Sequence, residues 1–117
     1  MIYTIEQIKE LVEPIAIKYK LKAVWIFGSY ARGAATEESD VDILIDKTDS
    51  ILVNLYDFYR INVELDELLK IKVDLISTEA LYIHQHLQKI SQFVQAVTKE
   101  RKLIYDRERQ PTSERFG

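Results

Sequence analysis

Apolar residues return every three or four positions near the start of the chain, at Ile5, Ile8, Leu11, Val12 and Ile15. That period predicts an amphipathic helix. Thr4 stands where its hydroxyl can cap the first turn, with Gln7 at the reciprocal capping-box position. Pro14 has no N–H and is expected to kink this helix or divide it into two pieces. Lys22 to Phe27 (KAVWIF) is β-branched and aromatic and ends at Gly28, which predicts a buried strand. The small and polar stretch from Gly28 to Ser39 predicts a loop with a short helical turn closed by Gly33. Val41 to Ile45 predicts a second strand. From Ser50 to Lys70, apolar residues at 52, 55, 56, 59, 63, 65, 68 and 69 predict one long amphipathic helix. Ile71 to Ile76 (IKVDLI) predicts a third strand. Thr78 is placed to cap a further helix with Leu81, Leu87, Ile90, Val94 and Val97 on its apolar positions, and Lys102 to Tyr105 (KLIY) predicts a short last strand. The order implies an α/β (α+β) fold, with helices packed on one small mixed β-sheet.

Composition narrows the classes. A chain of 117 residues suits one domain with a modest core, here residues 1–106, and the charged, proline-containing end over 107–117 reads as a mobile tail. The net charge of −3 gives no bulk attraction to nucleic acid, and direct nucleic-acid binding is not expected. No cysteine is present, which excludes disulfides and thiolate metal sites. No apolar run is long enough to span a bilayer, and the N-terminus lacks the apolar core of an export signal, so a cytoplasmic location is expected.

The chemistry gathers in FGSYARGAATEESDVDILID, residues 27–46. Strand side chains alternate between faces, so Asp40 and Asp42 share one face while Val41, Ile43 and Ile45 take the other. Asp74, between Val73 and Leu75, repeats the scheme on the third strand. If these strands are neighbours, three carboxylates converge, a costly arrangement unless cations compensate it. Oxygen-only ligands favour Mg²⁺ or Mn²⁺, and two such ions form the clamp used for in-line phosphoryl transfer. Gly28 lets backbone approach a ligand, Ser29 offers a hydroxyl and an N–H, and Arg32 can fork onto a phosphate. Other polar residues read as structural: Thr36 and Ser39 as turn formers, Asp46 as a strand-end cap, and His84 and His86, two apart on a predicted helix, as residues on different faces. Tyr56, Phe58 and Tyr59 read as core packing, Tyr30 either packs or stacks on a nucleotide, and a salt bridge to Lys72 is the plain alternative for Asp74.

Gly28-Ser29, ten intervening residues and Asp40-Val41-Asp42, followed by Asp74, resemble the signature of the DNA polymerase β-like nucleotidyltransferase superfamily, and GSYARG…SDVDILID looks like its minimal nucleotidyltransferase (MNT) group. The resemblance covers residues 5 to 105 and implies that superfamily's fold. It implies attack of a hydroxyl on the α-phosphate of ATP, with Asp40, Asp42 and Asp74 as metal ligands and catalytic residues and with Gly28, Ser29 and Arg32 binding the nucleotide. It further implies an antitoxin of a type VII toxin–antitoxin pair that transfers AMP to a tyrosine of a HEPN ribonuclease toxin. The alternatives are a small-molecule or RNA-end acceptor, or a non-catalytic antitoxin acting by steric cover.

Overall fold

The computed structural model describes residues 2–52, 54–83 and 88–109. The chain begins with α1 (Ile5–Lys18), whose first turn is closed by the expected capping box: Thr4 Oγ accepts the Gln7 N–H and Gln7 Oε1 accepts the Thr4 N–H. Pro14 does not divide it; the helix runs on as one element. Proline costs a helix interior about 3 kcal/mol, and burial of Ile8, Val12, Ile15 and Ala16 on one stripe offsets that cost. β1 (Ala23–Phe27) leads directly into the short α2 (Gly28–Arg32), which Gly33 ends at φ +74°. β2 (Val41–Asp46) follows.

The next helix is shorter than its apolar pattern. α3 (Leu55–Leu69) starts only after Asn54, whose side chain accepts the Asp57 N–H as an N-cap. Residues 47–52 are held as turns: Ser50 N–H donates to the Lys47 carbonyl, Ser50 Oγ accepts the Leu52 N–H, and Asp49 sits at φ +56°. The buried stripe is Ile61, Leu65 and Leu69, so Tyr56 and Tyr59 are 67% and 65% exposed instead of packed, and only Phe58 leans on the core. β3 (Val73–Ser77) runs into α4 (Thr78–Ile83), where the cap is Ser77 rather than Thr78, its Oγ accepting the Ala80 N–H. α5 (Gln88–Glu100) and the edge strand β4 (Lys102–Asp106) follow. Leu87, His84 and His86 lie outside the described residues. Arg107 to Arg109, counted with the tail in the sequence reading, make a 3₁₀ turn tied by the Arg107 N–H to the Lys22 carbonyl, and residues 110–117 also lie outside.

The sheet order is β3-β2-β1-β4, with β2 and β3 parallel and the other pairs antiparallel. The parallel pair needs a crossover, and α3 supplies it. α1 and α3 cover one face over Val24, Ile26, Val41, Ile43, Ile45 and Leu75. On the other face Leu81, Val94 and Val97 of α4 and α5 cover Phe27 and Leu44. Asp42 and Asp74 share parity with Leu44 and Ile76, so they belong to this second face, at the strand ends that follow Asp40 and Lys72. Among the described residues, no helix is long and apolar enough to cross a membrane.

Candidate active site

Strand register brings the first two carboxylates together. Asp42 on β2 pairs with Asp74 on β3, and Asp42 also pairs with Phe27 on β1. Gly28 follows Phe27 and passes so close to Asp42 that a Cβ there would lie 2.0 Å from Oδ2. Its φ of +72° also belongs to the region that L-residues avoid. The close approach that glycine permits is therefore to a carboxylate of the site itself.

Gly28, Arg32, Asp42, Asp74, Phe93 and Glu100 contribute to the wall of one cavity of about 470 Å³. Ser29 is half-buried in the first turn of α2 and Asp40 precedes β2; neither lines this cavity. Asp40 joins the group through Lys72, whose Nζ stands 3.3 Å from Asp74 Oδ1 and 3.8 Å from Asp40 Oδ2. The salt bridge to Lys72 thus exists together with the carboxylate cluster. The two neighbouring acids raise the Lys72 pKa, with its hydrogen bond to Asp74 the largest cause. Among the described residues, no cation makes an ion pair with Asp42 as Lys72 does with its neighbours. Burial, then the charge of Asp74 and a hydrogen bond to it, then the charge of Asp40, push its carboxyl up to about 6, with Arg32 opposing.

Two residues assigned to phosphate are engaged by an acid that the sequence reading missed. Glu100 Oε1 accepts the Gly28 N–H at 3.1 Å, and both Glu100 oxygens accept from Arg32 Nη1, at 3.1 and 3.2 Å. The one local signal is that Glu100 ends α5, where the helix dipole disfavours a carboxylate without a cationic partner. Tyr30 is buried in the core, so it packs. Ser39 Oγ accepts the Thr36 N–H, and Asp46 Oδ1 accepts the N–H and hydroxyl of Thr48, so these are the turn and strand-end roles expected of them.

A hard divalent cation fits the donor chemistry, because the acidic donors are carboxylate oxygens and the penalty on the Asp42 charge is only partly offset by Arg32. Among the described residues no three acidic or histidine side chains converge on one point as they stand. Asp42 and Asp74 would hold such an ion, and Asp40 would join when the ion takes the place of the Lys72 ammonium between Asp40 and Asp74. Protons and cation then compete for Asp42. Mn²⁺ affinity is expected to rise with pH and flatten above the Asp42 value of about 6. Titration calorimetry at about pH 5 should give affinity about tenfold weaker than at about pH 7.5. Equal affinities at both would remove Asp42 from the ligand set.

A protein-family profile described as polymerase beta, nucleotidyltransferase, matches residues 6–110. A Methanocaldococcus jannaschii protein whose name marks it as a candidate protein adenylyltransferase is 42% identical over 83 residues, 68% of this chain and 83% of its own. The protein adenylyltransferase MntA of Thermococcus cleftensis is 33% identical over 82 residues, 67% of this chain and 81% of its own. In fold, the chain is similar to one chain of the solved complex of the tri-AMPylated Shewanella oneidensis HEPN toxin with its MNT antitoxin. The TM-score is 0.61 at 16% identity, over 97% of this chain and 79% of that one.

Proposed function

The chain belongs to the polymerase β-type nucleotidyltransferase family, and on that premise we propose that it is an antitoxin that transfers AMP from ATP to a tyrosine hydroxyl of a HEPN-type toxin. The observation that carries the reading is the Asp42–Asp74 pair across β2 and β3, with Gly28 pressed against Asp42. The relatives' names and the antitoxin complex of similar fold support the protein acceptor. In the reaction the acceptor oxygen bonds to the α-phosphorus, the bond from that phosphorus to the bridging oxygen breaks, and pyrophosphate leaves. Asp74 accepts the hydroxyl proton, and Gly28, Ser29 and Arg32 hold the phosphates. Mg²⁺ held by Asp42 and Asp74, with Asp40 joining, supplies charge neutralisation and polarisation when bound. AMP adds bulk and negative charge to the tyrosine, which opposes binding of an RNA phosphate near it.

The test is to incubate the chain with Mg²⁺, α-labelled ATP and a HEPN protein encoded beside it. Label is expected on the partner and to be lost when its tyrosines are changed to phenylalanine. Partner inhibition without any label would favour steric cover, and label on RNA or a small molecule alone would move the acceptor elsewhere.

A further inference from the structure

Glu100 holds the donors that a phosphate needs. Its carboxylate accepts the Gly28 N–H and the Arg32 guanidinium, from the far end of α5, 72 and 68 residues away in sequence. The same three residues line the cavity that Asp42 and Asp74 also line. We propose that Glu100 is a resident anion in the phosphate seat, which the polyphosphate of a nucleotide must displace. The inference rests on the nucleotide reading of this cavity.

The geometry fits a plug better than a permanent strut. Both Glu100 oxygens reach one guanidinium nitrogen, so the contact is not the two-nitrogen fork that locks an arginine in place. Its carboxylate side chain is 23% exposed and the Arg32 side chain 54%, so water weakens the pair and an exit lies open. A triphosphate brings more negative charge and more acceptor oxygens than one carboxylate to the same donors. With Glu100 in place, an entering phosphate meets a third acid beside Asp42 and Asp74 and finds the Gly28 N–H and Arg32 Nη1 already engaged. Displacement frees Arg32 and the Gly28 N–H together, so the ion pair sets the affinity of the seat.

Binding of a non-hydrolysable ATP analogue with Mg²⁺, followed by titration calorimetry, separates the roles. Glu100→Ala is expected to bind about fivefold more tightly than the wild type, by removing one charged competitor. Glu100→Gln retains an acceptor and the shape, guards against misfolding, and should fall between them. Inorganic triphosphate should show the same order. Weaker binding by Glu100→Ala and Glu100→Gln would make Glu100 a positioning residue for Arg32 and overturn the proposal. Unchanged affinity would overturn it as well. Binding by the wild type with no gain in either variant sinks the plug alone, whereas no binding by any of the three sinks the nucleotide reading with it.

Discussion

Changing Asp42 to Asn is expected to abolish transfer to the partner while making the ligand-free chain more stable at neutral pH. The loss follows from removing a carboxylate that would hold a divalent cation against the reacting phosphate, which is worth several kcal/mol in the transition state, roughly a thousandfold in rate. The gain follows from the Asp42 carboxyl, pushed up to about 6 chiefly by burial and by Asp74. In the unfolded chain the same group titrates near its ordinary value of 3.8. Between those values the folded state binds more protons than the unfolded one, so stability falls as pH rises through the window. The penalty is absent below it and complete above it. Asp42 is half-buried, so solvent screening reduces the effect to about 1 kcal/mol. Urea unfolding with a chelator present should therefore place Asp42→Asn above the wild type at about pH 7.5, with the difference gone at about pH 3.5. A variant less stable than the wild type by the same margin at both pH values would show that Asp42 carries no such charge penalty. Retained labelling activity would take it out of the chemistry.

Gly28→Ala is the second large effect. The new methyl would fall 2.0 Å from Asp42 Oδ2, 2.9 Å from Cγ and 3.3 Å from Cβ. Rotation of the carboxylate can relieve the first contact, but that moves the metal-facing oxygens and leaves the Cβ contact, which is tied to the backbone of β2. Transfer is expected to fall at least about a hundredfold, since displacements of about 1 Å at a reacting centre have that consequence. Stability should also fall by about 1–2 kcal/mol from the positive φ alone, with the clash in addition. Gly33 gives the contrast. Its φ is +74° but no heavy atom lies within 4 Å of its Cβ position, so Gly33→Ala meets only the backbone cost. A double-mutant cycle isolates the contact at Gly28. In an Asp42→Ala background, which removes Oδ2 and Cγ but keeps the Cβ contact, Gly28→Ala should cost less, while still costing more than Gly33→Ala. An equal cost in both backgrounds would mean that the crowding against the Asp42 carboxylate has no energetic weight.

Much of the architecture was legible locally. The capping box at Thr4, the turn ended by Gly33 and the parity of Asp42 along its strand depend on residues within a few positions of one another. The four strands followed from short β-branched runs bounded by polar residues. Apolar count misled where an alternative local bond was stronger. Asn54 and the turns around Ser50 delayed α3, and the helix turned Ile61, Leu65 and Leu69 inward, leaving Tyr56 and Tyr59 outside. Pro14 stayed inside one helix because the stripe on either side of it was already committed to the core. Which residues complete the site was a different kind of question.

By itself the sequence determined the strands, the order of strands and helices and the faces on which Asp42 and Asp74 stand, because alternation and capping are local properties. Only the tertiary structure decided that Asp42 and Asp74 occupy the same register, that Lys72 joins Asp40 to Asp74, and that Glu100 sits on Gly28 and Arg32. Those contacts depend on strand pairing through a crossover helix and on a carboxylate 68 residues from Arg32 and 72 residues from the Gly28 N–H. Electrostatic partners at such separations leave no periodic trace along a chain. They exist only once the sheet and α5 have packed.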